Sequence, residues 1–183
     1  QQRVPPMTIY VDSPMASAAT RISARHGVVP PLEGVRFTES LEDSMRINGV
    51  RSGAVIISAS GMCEGGRVKH HLRYNLGRPE CAIVFAGFQA AGTLGRRIVD
   101  GAKSVRIFGE TYAVRAKVFT IGGLSAHADR DALLAWAANF RQPPSRCWVV
   151  HGEPMSALSL RDALVQKSGW RASVPVPGQS IDW

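Results

Sequence analysis

Apolar positions along the chain come in short runs rather than long helical stripes, and turn residues follow each run. Met7 to Val11 alternates weakly and is rich in β-formers, Asp12-Ser13-Pro14 turns the chain, and Pro14 opens a helix predicted to continue over Met15 to Arg25. Ala54 to Ile57 reads as a short buried strand, followed by the small, polar stretch Ser58 to Gly66 and a helix over Arg67 to Leu76. Cys81 to Phe85 repeats the pattern, with Gly87 to Gly92 as loop and Thr93 to Val99 as helix. A recurring strand-loop-helix unit argues for an α/β fold with a mostly parallel sheet, flanking helices and functional groups at the carboxyl ends of the strands.

The character changes after Gly101. Val105 to Phe108 and Val114 to Thr120 read as two strands around Gly109-Glu110-Thr111-Tyr112, a predicted hairpin. A helix over Asp131 to Phe140, a buried strand over Cys147 to Val150, a helix over Ser156 to Lys167 and a last strand over Ala172 to Val176 complete the pattern. A domain boundary is expected between Gly101 and Gly122, and neither low-complexity sequence nor a solenoid period is present.

With 183 residues, 45% of them hydrophobic, the chain can bury a real core, which excludes disorder. A net charge of +8 nominates nucleic acid as partner first and an anionic membrane surface second. The excess is local: between Glu64 and Lys117 there are ten Lys and Arg against four Asp and Glu. No apolar stretch approaches the roughly 18 residues of a membrane span, and no signal-peptide pattern opens the chain. Cys63, Cys81 and Cys147 form no CxxC pair, and Cys81 and Cys147 read as small buried hydrophobes, so a reducing cytoplasm is the expected compartment. Gln1 to Pro6 reads as a linker inside a longer chain.

Four places could carry chemistry. Gly61 to Val68 has the glycines of a phosphate-binding P-loop, but Arg67 and Val68 replace its Lys and Ser/Thr, which argues against a nucleotide triphosphatase. Small residues before a helix could still present N–H groups to a phosphodiester oxygen, or could simply make a tight turn. In Thr93-Leu94-Gly95-Arg96-Arg97, Gly95 could let a phosphate approach while Arg96 supplies a fork of donors; an exposed Arg on a helix is also often just solvated. Arg78 falls on a predicted surface turn. His70 and His71 diverge by roughly 100° on a helix, cannot chelate one ion, and with His26 are expected at the surface. His127 and His151 differ: His127 precedes a helix that Ser125 or Asp129 can cap, and His151 follows an apolar strand and precedes Gly152, a favoured setting for a zinc ligand.

Taken together, Ser125-Ala126-His127-Ala128-Asp129, Val150-His151-Gly152-Glu153, Ser58-Ala59-Ser60-Gly61-Met62, Gly92-Thr93-Leu94-Gly95-Arg96 and Val11-Asp12-Ser13-Pro14-Met15-Ala16 resemble the motifs of the β-CASP branch of the metallo-β-lactamase-fold nucleases. The chain resembles this family from Thr8 to Pro177. The resemblance implies that residues 1–104 are the C-terminal part of a β-CASP domain and residues 105–183 the C-terminal part of a metallo-β-lactamase αββα domain. It implies a zinc-dependent ribonuclease, with two zinc ions in the full-length enzyme, acting on single-stranded RNA held by its backbone. His151 is the implied zinc ligand, and His127 the implied catalytic group that contacts the scissile phosphate or protonates the leaving oxygen. Ser60, Gly61, Met62, Ser125 and Arg96 are the implied substrate-binding residues, while Asp129 and Glu153 are implied to support rather than ligate.

The family's HxHxDH signature and motif A acid belong upstream of these residues, so the chain by itself is expected to be inactive, and Ser23 to Leu32 reads as shorter than the family's stretch. A non-catalytic RNA-binding scaffold in a processing complex is the alternative, and a homodimer is compatible with either.

Overall fold

The computed structural model describes residues 5–28, 34–124 and 127–181. They fall into two compact units, the first running through Leu124 and the second from Ser125 onward. In the first, β1 (Thr8–Asp12) is the central strand of a three-stranded parallel sheet between β2 (Val35–Phe37) and β3 (Ala54–Ser58). Helix α1 (Pro14–Arg25) starts as the sequence predicts: Pro14 fills its first turn and Ser13 accepts the Ala16 N–H at 3.3 Å. β2 and α2 (Leu41–Ile47) were not anticipated, because a three-residue strand and a seven-residue helix are too short to display a period. The shortening expected at Ser23 to Leu32 falls partly on residues outside the described ones.

Because the strands are parallel and in register, with Val11 beside Phe37 and Asp12 beside Ser58, the loops after β1, β2 and β3 emerge at one edge. That edge is where a parallel sheet gathers its functional groups.

After β3 come α3 (Val68–Asn75), β4 (Ala82–Phe85) and α4 (Leu94–Val99), close to the predicted bounds. The predicted hairpin exists in a tighter form. β5 (Ser104–Ile107) pairs antiparallel with β6 (Glu110–Ala113), so Phe108 and Gly109 alone make the turn. Both have positive φ, 50° and 86°, as a two-residue type I′ turn requires. Residues 114–120 do not belong to this hairpin: β7 (Lys117–Thr120) pairs parallel with β4 instead. Such a non-local partner leaves no trace in a local pattern.

Leu72, Leu76, Phe85, Leu94, Ile98, Val105 and Ile107 form one core, so β5 is packed into the first unit although a second domain was expected to open there. Leu76, Ile98 and Ile107 are fully buried, and truncating one to Ala would cost roughly 2–5 kcal/mol.

The second unit packs α5 (Arg130–Ala137), β8 (Cys147–Trp148), α6 (Pro154–Ser168) and β9 (Ala172–Ser173) around Ala137, Val149, Ala157, Leu164 and Trp170. β8 and β9 are shorter than predicted because their parallel pairing spans two residues. The chain is thus α/β with mostly parallel pairing, distributed over small sheets. Cys81 and Cys147 are only half-buried, whereas Cys63 lies in the core. No helix among the described residues is long and apolar enough to cross a membrane.

Candidate functional site

The carboxyl edge of the first sheet is organised by one buried carboxylate. Asp12, the last residue of β1, has no exposed side-chain surface and accepts from four side chains: Thr38 Oγ1, Ser44 Oγ at 2.6 Å, Arg67 Nη1 at 2.7 Å and His71 Nε2 at 2.5 Å. Burial alone would raise this carboxyl. The hydrogen bonds from Ser44, Thr38, His71 and Arg67 outweigh it and hold the group at about 2 against an ordinary 3.8. Since a carboxylate only accepts, Nε2 of His71 carries the proton, and its Nδ1 lies buried without a partner.

Arg67 also donates to the carbonyls of Glu39 and Ser40. The segment after β2, helix α2 and the start of α3 are thereby tied to the end of β1. His71 is therefore not the surface residue its sequence setting suggested, while His26 and His70 are exposed as expected. The signal was present: Val68, His71, Leu72, Asn75 and Leu76 fall at i, i+3, i+4, i+7 and i+8, which places His71 on the buried stripe of α3.

The loop from Ser58 to Arg67 is built by backbone contacts. Val68 donates to Ala59, Cys63 to Ser60 and Ser60 to Gly65. Gly66 has φ 76°, and a Cβ there would come 2.5 Å from the Ala59 carbonyl oxygen, so only glycine lets the loop close. The N–H groups of Val68, Lys69 and His70 all have backbone acceptors, so the start of α3 is not the open phosphate cradle that the P-loop-like pattern allowed. Among the described residues, the Gly61 and Met62 N–H groups have no acceptor, and both residues lie exposed on the turn. Cys63 is turned into the core; burial, with Glu64 beside it, pushes its thiol up to about 11 and keeps it unreactive at neutral pH.

Helix α4 holds this loop from the other side. Glu64 Oε1 accepts the Leu94 N–H and Met62 O accepts the Gly95 N–H at 3.1 Å. A Cβ on Gly95 would overlap Gln89 Oε1 and lie 3.1 Å from Met62 O. Gly95 is therefore small to admit the loop and Gln89, and the space is not open to a phosphate. Gln89, which sequence reasoning missed, is buried and donates to the Gly61 carbonyl at 3.1 Å.

Ser60, Gly61, Met62 and Arg96 are brought into one neighbourhood by these contacts. Arg96 Nη1 lies 3.4 Å from the Gln89 carbonyl oxygen, and its Nε donates to both Asp100 oxygens at 2.9 Å. Its charge is thus shared with a partly exposed acid. Arg78, expected on a surface turn, is instead a tie: it donates to Asn75, Glu80 and the Arg51 carbonyl, with side-chain exposure of 18%.

His127 and His151 belong to the second unit, and Ser125 lies outside the described residues. His127 is exposed, two residues before Asp129, whose Oδ1 accepts the Ala132 N–H at 2.8 Å and caps α5. His151 is exposed at φ 64°, a left-handed conformation that costs a non-glycine residue about 1–2 kcal/mol. It stands between β8 and Glu153, which opens α6. Catalytic zinc takes at least three protein ligands. Among the described residues no three His, Cys, Asp or Glu side chains converge, so they do not by themselves fit a zinc site.

Comparison with known proteins finds two family matches along the chain. Residues 1–98 match the Beta-Casp domain, and residues 111–175 match the Zn-dependent metallo-hydrolase RNA specificity domain. Ribonuclease TTHA0252 of Thermus thermophilus is 37% identical over 194 aligned residues, covering 98% of this chain and 44% of the relative. Transcription termination factor FttA of Pyrococcus abyssi is 36% identical over 127 residues, covering 67% of this chain and 20% of the factor. An RNase J-like protein of Methanocaldococcus jannaschii is 35% identical over 124 residues, 68% of this chain and 29% of that protein. The chain thus spans less than half the length of these relatives, and it belongs to the β-CASP family.

Proposed function

We propose that the protein to which this chain belongs is a zinc-dependent ribonuclease that hydrolyses RNA phosphodiester bonds, with this chain supplying much of the surface that holds the RNA backbone. The observation that carries the reading is the ordered match to a β-CASP domain and an RNA specificity domain on a chain whose basic excess lies between Glu64 and Lys117. On this reading the exposed Ser60-Gly61-Met62 turn offers backbone N–H donors to a phosphate oxygen, Arg96 adds a charged fork, and Ser125 a hydroxyl. Contacts of this kind give affinity and salt dependence rather than base specificity. His127 contacts the scissile phosphate or protonates the leaving oxygen. His151 contributes one ligand to a zinc pair held mainly by residues outside those described here, so the chain by itself is inactive.

The proposal includes the division of the chain by ancestry: 1–104 the end of a β-CASP domain, 105–183 the return to a metallo-β-lactamase domain. The unpaired thiols suit a cytoplasmic setting, and a homodimer is part of the same reading.

The test is cleavage of end-labelled single-stranded RNA by the full-length protein with and without a zinc chelator. Chelator-sensitive, zinc-restored cleavage is the expected result. RNA binding without cleavage under any metal would favour a non-catalytic scaffold.

A further inference from the structure

The hairpin tip carries a group that the phosphate-holding surface does not use. Phe108 occupies the first turn position at φ 50°, where a type I′ turn favours Asn, Asp or Gly, and its residue surface is 49% exposed. A bulky residue kept in a left-handed conformation and half in water needs a reason beyond the turn itself. The ring is not alone. Its centroid lies 4.7 Å from that of His70, with the planes tilted by 34°, and Lys69 Nζ sits 5.0 Å from its centre.

The two α3 residues and the tip form one surface, fixed from below by Arg73, whose Nε donates to Tyr112 Oη at 2.7 Å across the same helix-hairpin junction. It is also continuous with the loop already described, because Lys69 Nζ donates to the Glu64 carbonyl at 3.4 Å.

We propose that Phe108 and His70, flanked by Lys69, form a stacking platform for one unpaired nucleobase of a bound RNA strand. A pair of exposed rings offers a π-face that accepts any base, and a neighbouring ammonium can reach the adjoining phosphate. The charge supports RNA over an apolar protein partner: Lys69 stands at the platform within a segment holding ten basic and four acidic residues. The inference rests on the RNA reading above and adds a base-directed contact to it. It accounts for an aromatic residue where the turn alone would select a small polar one.

The test uses the full-length protein in chelator, which prevents cleavage, and measures affinity for a short mixed-sequence single-stranded RNA and for a set in which one nucleotide at a time is abasic. Phe108→Asn suits the turn while removing the ring; it should bind the intact RNA roughly tenfold more weakly, with an unchanged salt slope. Phe108→Trp should bind as the parent does or more tightly. One abasic position should cost the parent protein a similar factor and cost Phe108→Asn nothing further. Lys69→Ala should instead reduce the salt slope by about one phosphate contact. Equal affinity of Phe108→Asn and the parent, or equal losses in the Asn and Trp variants, would overturn the platform while leaving the RNA reading intact. Failure of the parent protein to bind any RNA would overturn both.

Discussion

Asp12→Asn tests whether one buried carboxylate organises the edge that carries the phosphate-facing loop. Two magnitudes follow from the structure. First, the carboxyl is held at about 2 in the folded chain against 3.8 ordinarily, so between those values the unfolded chain binds more protons than the folded one. The resulting stabilisation, about 2 kcal/mol, is fully present above the ordinary value and is lost as pH falls through 3.8 toward 2. Second, the amide at neutral pH removes the charge while leaving Arg67, only 18% exposed, without its counter-ion. Breaking such a pair costs roughly 3–5 kcal/mol, more than the proton linkage alone, because both partners lose. The chain allows a local readout: Tyr10, Tyr74 and Tyr112 all lie in the first unit, and Trp136, Trp148 and Trp170 lie in the second. Urea unfolding followed by the tyrosine near-ultraviolet signal should show the loss at neutral pH and a flattened acid limb below pH 4. A shift of less than about 0.5 kcal/mol, the scale of an ordinary surface substitution, would refute the hub.

Three further outcomes follow from the same contacts. Gly95→Ala should expel Gln89 from its place against Gly61 and lower RNA affinity several-fold in the full-length protein, whereas Gly61→Ala, with open space around the added Cβ, should leave the fold unchanged by circular dichroism. His151→Gly should raise the stability of the second unit by about 1 kcal/mol in tryptophan-monitored unfolding, since glycine relieves the left-handed conformation, even as it removes the proposed zinc ligand. Arg96→Ala should flatten the salt dependence of RNA binding by about one phosphate contact across unrelated sequences. Arg25→Ala, at the far end of α1 from Asp12, should not, and matched losses would reduce the Arg96 contact to the diffuse field of a basic chain.

The strand-loop-helix succession was legible because β1, β3, β4 and the helices after them are punctuated by local signals such as Ser13-Pro14 and Thr93. What was not legible is what joins them. Asp12 read only as a turn residue, since its partners Thr38, Ser44, Arg67 and His71 lie 26, 32, 55 and 59 residues away. Arg67, seen as an imperfect P-loop lysine, is turned inward to that acid, and Gly95 serves a loop rather than a ligand. The Gly95 reading assigned to a substrate what the protein needs for its own packing. His127 and His151 were marked by their settings, an Asp129-capped helix and a strand end before Gly152, and both stand exposed there. The left-handed backbone of His151 has no signature in sequence.

The roles of those two histidines are tested most directly by zinc content and RNA turnover measured together in the full-length protein. His151→Ala should lose both a share of the bound zinc and activity, because it removes a ligand. His127→Ala should lose turnover with its zinc content unchanged. Equal zinc loss in the two variants, or full activity in either, would contradict the account.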